Sequence, residues 1–170
     1  MKYFFGKKLT NHFIKVKISS ENKEMIKSAR NLAKWISDIP LMYYPWGLQP
    51  AAVRFKNSMQ ENAKTHTIIE NIIESSHNGI VAWDKPTKLQ PILLQGMDDY
   101  VKTKERLKII KEFFNEKDIR YQEIFSKDGS ILSKLVCLIY QLDFTSIYNA
   151  ILSGIDPSPV NSIDFIKSRL

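Results

Sequence analysis

Short apolar runs alternating with segments of helical period constrain this chain more than any other feature. Ile39 to Tyr44 is apolar nearly throughout and stops at Pro45 and Gly47; Ile92-Leu93-Leu94 repeats the pattern, and Ile119 to Phe125 alternates as a strand does. Runs that are apolar on both sides suit strands of a parallel sheet covered on both faces. Between them, Met25, Ile26, Ala29, Leu32, Ala33 and Ile36 recur at helical spacing until Asp38 and Pro40. Pro50 fits the first turn of a second helix over residues 51–65, and Leu107, Ile110, Phe113 and Phe114 mark a third. Ile68, Ile69, Ile72 and Ile73 predict another helical piece. Strands alternating with helices give an α/β fold, a three-layer α-β-α sandwich around a short, mainly parallel sheet.

The stretch from Ile131 to Ile151 is apolar nearly all round and predicts a buried helix broken near Asp143, closed by Asp156-Pro157 and followed by a last helix from Pro159 to Leu170. Ser19-Ser20-Glu21-Asn22 supplies cap residues for the first helix, and Phe13 to Ile18 alternates weakly. Residues 1–22 are therefore expected to form an arm or edge strand, and 23–170 one domain. A chain of 170 residues with 44% hydrophobic content suits one packed unit.

Charge and composition narrow the function classes. The net charge is +7, but lysine and arginine are interleaved with acids along helix faces, which predicts a solvated surface and no nucleic-acid partner. Cys137 is the sole cysteine and lies in an apolar run, so a core thiol and no internal disulfide are expected. Lys2, Lys7 and Lys8 precede no apolar signal core, and no stretch approaches roughly 18 uninterrupted apolar residues. A soluble, cytoplasmic protein without a membrane partner is the expectation. His12 and His66 join no metal-ligand spacing, and there is no glycine-rich phosphate loop, so neither metal nor cofactor is expected.

The chemistry-bearing residues come in a particular order. On a helix over 51–65, Asn57 and Glu61 are four apart on one face with Arg54 one turn earlier, so Arg54 and Asn57 are placed to orient the Glu61 carboxylate. From spacing alone the simpler reading is a solvated helix with a Glu-Lys pair worth a few tenths of a kcal/mol. His77, in the loop Ser75-Ser76-His77-Asn78-Gly79, can give and take a proton near neutrality. By itself it reads as a turn residue, and Lys167 as one of many surface lysines.

Taken together, Ile39-Pro40-Leu41-Met42-Tyr43, the helix with Arg54 and Glu61-Asn62-Ala63-Lys64, His77-Asn78 ahead of Trp83, Leu142-Asp143-Phe144-Thr145-Ser146, and Gly154 to Val160 resemble the C-terminal half of the archaeal and bacterial bifunctional phosphoglucose/phosphomannose isomerases. The resemblance runs from about Asn31 to the end and implies a flavodoxin-like sugar isomerase (SIS) fold. It implies that Glu61 is the base moving a proton between the two carbons beside a carbonyl, through an enediol. It also implies that His77 reaches the active site of a neighbouring subunit in a homodimer, and that Lys167 assists ring opening. Ser158 and Ser162 are the hydroxyls near the place where family members that accept mannose 6-phosphate carry one, while Val160 stands at the matching position. The family often has an acid where this chain has Gly79. The similar enzymes are roughly twice as long, with the phosphate-gripping Ser/Thr loop in an N-terminal half. The expectation is thus an isomerase half acting on a hexose 6-phosphate, needing an N-terminal half or companion chain. A non-catalytic sugar-phosphate-binding or assembly subunit is the alternative.

Overall fold

The structure, a computed structural model, describes residues 23–170. The expected arm, with its strand over Phe13 to Ile18, the cap residues 19–22 and His12, lies outside the described residues. The elements run in the order α1 (Lys23–Trp35), β1 (Ile39–Tyr44), α2 (Gln49–Asn62), β2 (Ile68–Asn71), α3 (Ile72–Ser75), β3 (Leu89–Gln95), α4 (Val101–Glu116), β4 (Gln122–Phe125), α5 (Ile131–Leu152) and α6 (Asn161–Lys167). The strands form a 4-stranded sheet in the order β2-β1-β3-β4, and every pairing is parallel.

Alternation along the strands sorts the core into two layers, because successive side chains point to opposite faces. Met42, Tyr44, Ile92 and Leu94 meet Leu32, Phe55, Met59, Leu138 and Leu142 on one face, beneath α1, α2 and α5. Leu41, Tyr43 and Leu93 meet Ile72, Trp83, Leu107, Ile110 and Phe114 on the other. Phe114 is the hub of the second layer, with Trp83 edge-on at 5.3 Å and Tyr121 at 5.8 Å between ring centroids. This is the expected three-layer α/β sandwich around a parallel sheet.

Two local expectations change. The isoleucines at 68, 69, 72 and 73 do not share one helix: Ile68 and Ile69 pair in register with Leu41 and Met42 as edge strand β2, and only Ile72 and Ile73 are helical. Their spacing fits a helical turn, but β-branched side chains beside a strand with open backbone groups favour the ladder. Helix α5 is unbroken through Asp143, over 22 residues. It is long and apolar enough to cross a membrane, yet Leu138, Leu142 and Ala150 are buried in the layer beneath the sheet, and Cys137 is buried as well.

Side-chain amides close the end of α1, whose last carbonyls have no partner within the helix. Asn149 of α5 donates to the carbonyls of Ala33 and Ile36 at 3.1 and 3.0 Å. Gln90 of β3 donates to the Trp35 carbonyl at 3.0 Å and accepts from the amides of Ser37 and Asp38.

Candidate functional site

Helix α2 carries Glu61, the acid expected from sequence, and its packing fixes which stripe of the helix faces the core. Ala51, Ala52, Phe55 and Met59 are buried, which holds one stripe of the helix in the core. A polar stripe beside it runs along i, i+4, i+8 and docks on α5. Arg54 donates two-pronged to Asp143, Nε at 3.0 Å to Oδ1 and a terminal nitrogen at 3.0 Å to Oδ2. The Ser58 hydroxyl donates to the same carboxylate, and Asn62 donates to the Ser146 hydroxyl at 2.8 Å. Such a fork on a carboxylate restrains angle as well as distance. The hydrogen bond to Asp143 and then its charge raise the Arg54 pKa further above its ordinary value, with a smaller contribution from Glu61. Arg54 therefore reaches Glu61 through charge, while its hydrogen bonds go to α5. Asn57 falls off the stripe and is exposed.

Glu61 lies in the last turn of α2, exposed, on the wall of a cleft of about 370 Å³ lined also by Gln60, Lys64, Pro159, Val160 and Ser162. The far wall is the segment that runs into α6. Lys64, just beyond the helix end, has φ 55, the left-handed conformation. Its ammonium donates to the Glu61 carbonyl at 2.6 Å and to the Pro159 carbonyl at 2.7 Å. Ser158 sits in a turn, its amide donating to Asp156 Oδ1 at 2.9 Å. The Ser158 amide first, its hydroxyl next and the nearby Lys64 charge hold the Asp156 carboxyl below its ordinary pKa. Lys167 is exposed in the last turn of α6, about 9 Å along the helix axis from the cleft wall at Asn161.

His77 is elsewhere. A helix that connects two neighbouring parallel strands runs back against them, so the end of α2 lies at the amino edge of the sheet. His77 follows α3 beyond the carboxyl end of β2, and α3 covers the opposite face through Ile72. Glu61 and His77 of one chain thus stand at opposite edges and on opposite faces. Glu70 lies close by Gly79: a Cβ at position 79 would be 2.7 Å from Glu70 Oε2, so the β2 carboxylate fills the space a side chain there would take. Partial burial raises the Glu70 pKa from its ordinary value. Below it, Trp83 Nε1 donates to the Tyr43 hydroxyl at 2.9 Å, and burial lifts the Tyr43 pKa to about 12.

The structure brings Glu61, Lys64 and the Ser158-bearing turn together with the start of α6, and keeps His77 apart. Sequence assigns Ser58 no role and reads Asp143 as a helix break and Lys64 as half of a Glu-Lys pair, although the spacing of Arg54, Ser58 and Asn62 and a lone acid in an apolar helix are visible signals of the seam with α5. Among the described residues, no group of three or more His, Cys, Asp and Glu could hold a metal ion.

A family model described as the bacterial phospho-glucose isomerase C-terminal SIS domain matches residues 26–170. The chain belongs to this family. Among relatives of this SIS domain, the bifunctional phosphoglucose/phosphomannose isomerase of Caldicellulosiruptor bescii is 29% identical over 169 residues, covering 91% of the chain and 50% of the relative. That of Aquifex aeolicus is 27% identical over 156 residues, covering 87% and 49%. The chain spans about half the length of these relatives. Two solved structures share the fold: a glucose-6-phosphate isomerase like protein from Thermus thermophilus, with TM-score 0.58 and 21% identity over 76% of this chain and 42% of that one, and the sugar isomerase domain of an RpiR transcription factor from Sphaerobacter thermophilus, with TM-score 0.56 and 11% identity over 95% and 96%.

Proposed function

We propose that residues 23–170 are one domain of an aldose-ketose isomerase, the half that carries the proton-transfer groups for interconverting glucose 6-phosphate, and its mannose epimer, with fructose 6-phosphate. The observation that carries the reading is Glu61 on a cleft wall, at the end of a helix pinned to α5 by the two-pronged Arg54–Asp143 pair. In the open-chain sugar the Glu61 carboxylate takes the proton from C2; the electron pair becomes the C1–C2 double bond of the enediol, and the aldehyde oxygen gains a proton. The C2 hydroxyl proton is then given up as the ketone forms, and Glu61 returns its proton to C1. A carboxylate suits this work because it holds and releases one proton without leaving the site.

Ring opening falls to His77 of a second copy and to Lys167, so the working form is a homodimer. The opposite placement of Glu61 and His77 within one chain supports that arrangement. Ser158, in the turn that leads into the Pro159 wall, is assigned a contact with the substrate, while Arg54 and Asn57 are assigned to orient Glu61 from the helix. The grip on the phosphate comes from an N-terminal half, in the same protein or a companion chain, since binding energy away from the reacting carbons positions them.

The test joins this chain to the N-terminal half of the Caldicellulosiruptor bescii relative and follows fructose 6-phosphate formation in a coupled assay. Turnover that falls at least about 10³-fold on Glu61→Gln supports the assignment; turnover left intact overturns it. The second reading is a non-catalytic sugar-phosphate-binding subunit, favoured by the fold shared with a transcription-factor domain. Binding of glucose 6-phosphate without any turnover in the joined protein would select it.

A further inference from the structure

The segment that forms the far wall of the Glu61 cleft has almost nothing holding it. From residue 156 to the end no side chain is buried, and α6 contributes none to either core layer. Its own hydrogen bonds are local: Ser158 to Asp156, Ile163 and Asp164 to Val160, Ser168 to Asp164 and Phe165, Arg169 to Phe165. Among the described residues, the hydrogen bond that crosses from this segment to the rest of the molecule is the one from Lys64 to the Pro159 carbonyl, at 2.7 Å. The same ammonium holds the Glu61 carbonyl, so one cation joins the residue bearing the carboxylate to the wall opposite it.

We infer that Lys64 is a positioning residue: its ammonium is the tether that holds residues 156–170 as the wall of the Glu61 cleft and so sets the distance between Glu61 and the groups on that wall. The inference rests on the reading of Glu61 given above, but the tether itself does not. Three features fit a tether rather than a surface lysine. The backbone at Lys64 is left-handed, a conformation that costs free energy at a residue with a Cβ and turns the chain back toward the helix end. A cation at a helix C-terminus meets carbonyls that have no partner in the helix and the negative end of the dipole. The Lys64 charge also helps to keep Asp156 ionised, which maintains the turn presenting Ser158.

The left-handed backbone supplies a clean test, since glycine adopts it more readily than lysine does. In the full 170-residue chain, Lys64→Gly keeps or improves the backbone and removes the ammonium, Lys64→Met removes the ammonium alone, and Lys64→Arg retains a cation. Amide ¹⁵N order parameters are measured for residues 160–168, with β1 and β3 as internal reference. The expected result is values near 0.85 in the parent and in Lys64→Arg, and below about 0.6 in Lys64→Gly and Lys64→Met, with the strands unchanged. Equal order in all four proteins overturns the tether. In the joined protein, Lys64→Met should lower kcat/KM for fructose 6-phosphate by about ten-fold or more, with rescue by Lys64→Arg. Loss of order with unchanged kcat/KM, while Glu61→Gln is inactive, overturns the positioning role. If Glu61→Gln is fully active, the reading of the site has failed, and the order parameters alone judge the tether.

Discussion

The two walls of the Glu61 cleft are built in opposite ways. The α2 wall buries Ala51, Ala52, Phe55 and Met59 and is locked against rotation by the bonds from Arg54, Ser58 and Asn62 to α5. The wall from residue 156 onward buries no side chain and is tied by Lys64. The difference teaches where precision is kept in this domain. The carboxylate is carried by an element whose displacement would open the core, whereas the facing groups ride on a segment whose displacement would leave both core layers intact.

Four measurements break or sharpen that contrast. The largest effect is expected from Phe55→Ala. The side chain is fully buried between α2 and the sheet, so denaturant unfolding should show a loss of about 3–5 kcal/mol. Next comes the polar seam: Asp143→Ala leaves the Arg54 fork and the Ser58 hydroxyl without their acceptor. Because the Arg54 side chain is 51% exposed, the loss should be about 1–2 kcal/mol. A cost above 3 kcal/mol would mean the seam, not the apolar stripe, fixes α2. Ile166→Ser then probes the other wall. Ile166 is 57% exposed, and the same unfolding experiment should register a change within about 0.5 kcal/mol. A large loss would show that the segment is anchored by packing rather than by Lys64.

The smallest effect concerns pH. Asp156 is held below its ordinary pKa, first by the Ser158 amide. A depressed acid stabilises its turn above the unfolded pKa, and that contribution is lost as pH falls through the folded value. The Ser158 amide shift should therefore titrate with a midpoint below that of an ordinary aspartate, with the global melting temperature unmoved by the release of this turn. A midpoint at or above the ordinary value would remove the Asp156–Ser158 turn from the account.

Much of the fold was legible because both layers are written into period. The run from Ile39 to Tyr44 is β1 to the residue, and the buried set of α1 follows the helical spacing of Met25, Ala29, Leu32 and Ala33. What could not be read is what depends on a neighbour. Ile68 and Ile69 become a strand because β1 offers them a ladder, and Asp143 is accommodated within α5 because Arg54 pairs with its charge and Ser58 donates to it from another helix. The candidate site divides the same way. Glu61 and Pro159 are nearly 100 positions apart in sequence yet line one cleft, an adjacency created by the docking of α2 on α5 and the length of α5. His77 could be singled out from its loop and the family pattern, but its separation from Glu61 required the strand order.

The central claim is that the Glu61 carboxylate moves a carbon-bound proton, and solvent exchange reports that step without depending on ring opening or product release alone. Fructose 6-phosphate is incubated in D₂O with the joined protein, and deuterium at C1 is followed by NMR. The account predicts steady incorporation with Glu61 in place and none above background in Glu61→Gln. Incorporation at an unchanged rate in Glu61→Gln would contradict it.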